Sequence, residues 1–223
     1  MTAVAPRPPA ANRSVWPRAL LLCLVQIALL NWLLARVIWL PFYFGIFFFL
    51  VAGLLVSGWA FRVARPARPI RTVRILVGVL LVTLGALATG VYWEYRAVAA
   101  TIGAPPRFAD ARQAAAHAGA PAPSVDSAVS DAFRAMLRRD YPPGGAIGYA
   151  RWAAAAGDAT LTLPNGFADR VRLPHRGWRW LARTCAAYAL FAVGAWFQLE
   201  SLRSPTPVTN LLAPGEEAID EEA

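Results

Sequence analysis

The sequence predicts a membrane all-α fold: a four-helix polytopic bundle with a small α+β extracytoplasmic insertion between helices 3 and 4. Three observations predict it. Ala19 to Phe61 carries no charge except Arg36, and Ile75 to Trp93 and Leu181 to Leu199 are two further apolar runs. Apolar residue types make up 57% of the chain and mean hydropathy is +0.43, too high for a soluble chain of 223 residues. Five arginines fall in one short stretch between apolar runs, as in a cytoplasmic loop.

Residues 1–17 hold four prolines with Arg7 and Arg13 and read as a flexible cytoplasmic arm. Residues 18–93 then carry three spans. A bilayer core needs about 20 apolar residues, and Ala19 to Phe61 is about twice that, so it divides in two. Helix 1 is predicted over Pro17–Trp39, with proline in the first turn where its missing N–H costs nothing. Leu40-Pro41 stops it, because a residue before proline avoids the helical region. Helix 2 follows over Phe42–Phe61.

Arg62, Arg65, Arg68, Arg71 and Arg74 come next, with Pro66 and Pro69 among them. Short basic loops stay in the cytoplasm, so helix 3, Val73–Trp93, leads outward. Arg36 is the one charge in the turn between helices 1 and 2, where it snorkels to the outer interface. These six arginines are the candidate lipid- or partner-facing residues. A basic cytoplasmic segment attracts anionic lipid with about 1 kcal/mol per arginine.

Residues 94–178 form the predicted extracytoplasmic α+β domain. Phe108 to Ala118 is alanine-rich and helix-prone. Ser124 is placed to cap a helix over Val125–Arg139, in which Val125, Val129, Phe133, Met136 and Leu137 recur on one face. Asp126 in its first turn and Arg138 and Arg139 in its last match the helix dipole. A further short helix is predicted over 147–156. Thr160 to Leu163 and Phe167 to Leu173 alternate apolar and polar around Pro164-Asn165-Gly166, the pattern of a β-hairpin. The face of Leu161, Leu163, Val171 and Leu173 is expected to cover the helix. Helix 4, residues 179–199, returns inward, with Trp178 and Trp180 as its aromatic anchor at headgroup level. Residues 200–223 end in five acids and read as an acidic disordered cytoplasmic tail.

The net charge is +9, and every basic side chain is arginine. In a soluble protein this balance would suggest nucleic acid. Here most arginines flank spans, so topology accounts for them and no nucleic-acid partner is expected. The heavy use of alanine, arginine, glycine and proline points to a GC-rich bacterial genome, and so to the inner membrane. The N-terminal apolar run continues past Arg36 into a second span without a small-residue cleavage site, unlike a secretory signal. Cys23 and Cys185 lie near the starts of helices of opposite direction, too far apart for a disulfide.

Catalytic groups are scarce. His117 and His175 are the two histidines, 58 positions apart, and no HExxH pair, CxxC, nucleophile elbow or phosphate loop occurs. No cofactor, metal or enzymatic activity is expected. Gln26 and Asn31 are the main polar residues inside spans and are expected to hydrogen-bond neighbouring helices. Small residues at Gly53, Ser57, Gly78, Gly85, Gly90 and Gly194 would let helices approach closely. The leading function is a non-catalytic accessory or interaction protein. It would touch membrane lipids and bind a protein partner through residues 94–178 or the acidic tail. A small oligomeric transporter or channel subunit is the alternative. A third reading is a membrane enzyme acting on lipid headgroups, built on a cleft joining His175, Asp169 and nearby arginines.

Overall fold

The computed structural model describes residues 15–36, 42–103, 108–119, 123–163 and 165–204. Most of the predicted arm and tail, residues 1–14 and 205–223, lies outside the described residues, as does Pro41. In chain order the helices are α1 (Val15–Arg36), α2 (Phe42–Ala64), α3 (Thr72–Thr101), α4 (Ala109–His117), α5 (Pro123–Asp140) and α6 (Gly145–Ala155). Strands β1 (Asp158–Thr162) and β2 (Ala168–Arg172) follow, then α7 (Trp178–Glu200). Single 3-10 turns, Arg65–Ala67 and Ser201–Arg203, continue α2 and α7. Helices α1, α2, α3 and α7 are each long and apolar enough to cross a membrane, which suggests a multi-pass membrane protein.

These four helices pack in a ring, α1 beside α2 and α3, and α7 beside α2 and α3. Glycines set the spacing at two seams. On the α1–α3 seam, Gly78 lies under Trp16 and Leu20, and Gly85 under Leu24. The two helices therefore run parallel. On the α2–α7 seam the fit is reciprocal. A methyl group at Gly53 would strike the carbonyl oxygen of Phe191, and one at Gly194 would strike that of Leu50. Two backbones in direct contact gain dispersion and weak Cα–H···O bonds, the kind of packing that can hold apolar helices together in lipid.

Asn31 is buried and donates through Nδ2 to the Ala86 carbonyl at 3.0 Å and to Thr89 Oγ1 at 2.7 Å, a bond to the neighbouring helix as expected. Gln26 differs from expectation: its buried Oε1 has no partner among the described residues. Cys23 is buried and Cys185 exposed, and both are free thiols. At the far end of α7 the carbonyl of Leu202 accepts from the N–H of Ile70 at 3.0 Å. That bond places the end of α7 and the arginine-rich segment at one end of the bundle, and the packing of Trp16 on Gly78 brings the start of α1 to the same end.

The insertion forms its own core at the other end. The predicted α5 face of Val125, Val129, Phe133, Met136 and Leu137 is buried, and so is the hairpin face of Leu161, Leu163, Val171 and Leu173. The strands are antiparallel, with Leu161 opposite Asp169 and Ala159 opposite Val171. Helix α6 supplies the two largest fully buried side chains, Tyr149 and Trp152; Phe133 meets Trp152 edge to face at 5.2 Å. Helix α5 begins at Pro123, one residue ahead of the serine expected to cap it, since proline suits a first helical position.

One boundary and one side-chain position differ from the sequence reading in ways that matter. Helix α3 does not stop at Trp93 but runs 30 residues to Thr101, about 45 Å at helical rise. Bilayer thickness limits the apolar run, not the helix, and the added turns are good helix formers such as Ala97, Ala99 and Ala100. Ala99 and Ile102 are buried in the domain core. Trp180 is not a lipid-facing anchor: it is 4% exposed, part of the same core, whereas Trp178 is 73% exposed.

Candidate functional site at the junction of bundle and domain

Glu94 sits where α3 leaves its apolar run, on the last turns before the domain. Its Oε1 accepts three hydrogen bonds: from Tyr149 Oη at 3.1 Å, from Trp180 Nε1 at 3.1 Å and from Arg183 Nη2 at 2.8 Å. The donors come from α6 and α7, so one carboxylate oxygen ties two long apolar helices, α3 and α7, to the domain. Burial, reinforced by the neighbouring Glu94 charge, raises the Tyr149 phenol above its ordinary pKa. It therefore stays protonated and keeps donating. Ser130 adds a second tie from α5, donating to the Ala99 carbonyl at 2.6 Å. Arg112 adds a third, reaching both the Gly103 carbonyl and Asp126.

Glu94→Ala would leave three donors without their acceptor. A fully buried pair broken in this way costs about 3–5 kcal/mol. The Glu94 and Arg183 side chains are 32% and 31% exposed, so solvent screening brings the expected loss to about 2 kcal/mol. Hydrogen exchange in lipid nanodiscs should show α6 and the start of α7 losing protection together, with α1 and α2 unchanged.

A second charged cluster joins the hairpin to the loop before α7. Asp158 accepts from Arg170 at 2.6 Å and Arg176 at 2.5 Å, with Arg172 at 3.5 Å. The hydrogen bond from Arg170 is the strongest influence, aided by Arg176, and holds the Asp158 carboxyl well below the usual carboxylate range against the opposing effect of burial. Asp169, considered above for a lipid-headgroup enzyme, is engaged with backbone. It accepts from the N–H of Phe108 at 3.0 Å and of Arg170 at 2.7 Å. The first bond pins Phe108, whose φ of 56° is left-handed and rare for a bulky side chain. His175 is exposed.

Five of the six arginines picked out by sequence lie away from this junction. Arg62, Arg65, Arg71 and Arg74 are exposed at the opposite end of the bundle. Arg62 stands 5.9 Å from the Trp59 ring, and the half-buried Arg68 stands 4.5 Å from Phe61. None of these five makes an ion pair with an acid among the described residues. Arg36 ends α1, and its side chain lies outside the described residues. The sequence reading missed Glu94, Tyr149 and Arg183. The available signal was an acid directly after one apolar run and an arginine just inside the next, which in a membrane setting are natural partners.

Inside the bundle, a cavity of about 10 Å³ is lined by Asn31, Phe49, Ala86, Tyr188 and other apolar neighbours, room for about one water. No group of three or more metal-ligating side chains occurs among the described residues. Compared with family models, curated proteins and solved structures, the chain matches none.

Proposed function

We propose that this chain is a non-catalytic accessory protein of a bacterial inner membrane, holding a small extracytoplasmic domain in fixed pose for a protein partner. In this reading α1, α2, α3 and α7 all span the bilayer. Both termini and residues 62–74 face the cytoplasm, and residues 102–177 face outward. The basic segments Arg7–Arg18 and Arg62–Arg74 support that orientation. The observation that carries the reading is the junction. The domain core includes Ala99 of α3 and Trp180 of α7, and Glu94 bonds both sides of it. A domain built onto two membrane helices is presented, not tethered. The bare arginines at the other end would grip anionic headgroups of the cytoplasmic leaflet.

Threading is tested by labelling single cysteines at Arg71→Cys and Asp131→Cys after replacing Cys23 and Cys185. Position 131 should react with an impermeant reagent in intact cells and position 71 only after lysis; the reverse pattern would refute the orientation. The partner is tested with a photo-crosslinking residue at exposed Ile147 or Arg139. A defined adduct that disappears when the domain is unfolded is the expected result. No adduct from either position would count against an interaction domain. A small oligomeric transporter remains the second reading, favoured by the buried oxygens of Gln26, Ser57 and Thr83 that lack hydrogen-bond partners among the described residues. Solute flux in proteoliposomes would favour it.

A further inference from the structure

We propose that the first turns of α7, with the loop before them, form a binding site for the phosphate of an anionic phospholipid in the domain-side leaflet. The inference rests on the membrane reading above. Arg179 and Arg183 are four residues apart on α7 and share a face, and Arg176 lies three residues upstream of Arg179. Arg183 is paired with Glu94 and Arg176 with Asp158. Arg179 lies between them in sequence, exposed, with no acidic partner among the described residues; its guanidinium rests 5.9 Å from the Trp178 ring.

The charge balance is uneven. Around Asp158 and Glu94, two carboxylates serve Arg170, Arg172, Arg176 and Arg183, and Arg179 adds a fifth guanidinium. Each guanidinium has five N–H donors in a fork suited to phosphate oxygens, and the carboxylates occupy few of them. The height is also right. Trp178, 73% exposed, begins a helix apolar enough to span, and tryptophan at such a position sits at headgroup level. A phosphate there lies alongside Arg179, about one helical turn above Arg183.

The ligand is a lipid rather than a soluble phosphate because the site opens sideways, onto the lipid-facing start of a span. Its neighbours Trp178 and Leu181 are exposed apolar surface that an acyl chain would cover. An anionic headgroup is favoured over a zwitterionic one because the excess positive charge has no use for a choline.

The test uses the full chain in nanodiscs of phosphatidylcholine containing a small equal fraction of photoactivatable phosphatidylglycerol or photoactivatable phosphatidylcholine. Adducts are mapped by peptide mass. The glycerol lipid should label residues 176–183 more heavily than the choline lipid. R179Q should reduce that labelling about fivefold, the effect of one arginine near an anionic surface. Labelling around residues 62–74 should not change. Arg179 holds no ion pair among the described residues, so an unchanged melting temperature would show that R179Q keeps the fold. Equal labelling of α7 by both lipids, or labelling indifferent to R179Q, would overturn the site while leaving the membrane reading intact. If neither lipid labels α7, both readings fall together. Displacement of the label by inorganic phosphate would assign a soluble ligand and overturn the lipid.

Discussion

Gly194→Leu is expected to prevent α2 and α7 from docking. A Cβ at Gly194 meets the carbonyl oxygen of Leu50 and, at 3.1 Å, the backbone nitrogen of Leu54. Backbone atoms cannot rotate away as a side-chain tip can, so the helices must separate. Overpacking of a tight interface costs about 3 kcal/mol or more when nothing yields, and separation also forfeits the contacts along the seam. Because Gly53 faces Phe191 in the same way, its substitution should have a comparable effect. Gly58 is the control: a Cβ there finds just the flexible Gln198 amide at 3.9 Å, so Gly58→Ala should be tolerated. Thermal unfolding of the purified protein in nanodiscs would check the series. Equal melting temperatures for Gly194→Leu and Gly58→Ala would show that the seam is not closely packed.

Phe133→Asp should unfold the domain and spare the spans. Phe133 is fully buried against Trp152. Removing such a ring costs about 3–5 kcal/mol, and an unpaired carboxylate in its place costs more. That is as much as a small domain has in total. Hydrogen exchange should show residues 125–173 losing protection, with the apolar helices still inserted and protected. Phe133→Leu, which keeps an apolar group, should cost far less. Full protection in Phe133→Asp would mean that the domain is held by its membrane contacts rather than by its own core.

The sequence revealed most of what is periodic. Apolar runs marked all four long helices because lipid demands an unbroken stretch, and charge marked the loop of Arg62–Arg74. The buried faces of α5 and of the hairpin were legible because amphipathic spacing of 3.6 and of 2 is a local property. Contacts between distant elements were not legible. Glu94 meets Tyr149, Trp180 and Arg183 across separations of 55, 86 and 89 residues, and no local pattern encodes such meetings. Trp180 was misread because a tryptophan at the start of a span has two uses, at the lipid interface or inside a core. The sequence shows the residue but not the neighbour that decides between them. The paired glycines at 53 and 194 were noted as small residues, but their reciprocity belongs to the packing of two helices and not to either one.

The length of α3 has a mechanical consequence. From Thr72 to Thr101 it is one uninterrupted rod, rooted among arginines at one end and buried in the domain at the other. Spans lean when the hydrocarbon layer thins and stand up when it thickens. A rod that continues past the bilayer converts that lean into sideways travel of whatever sits on its tip, and the travel grows with distance from the pivot. Trp180 and Arg183 join α7 to the same helix through Glu94, so in the proposed membrane setting the domain would move with the bundle as one body. Under the proposed membrane reading, local bilayer thickness would thereby be written into the position of the domain surface.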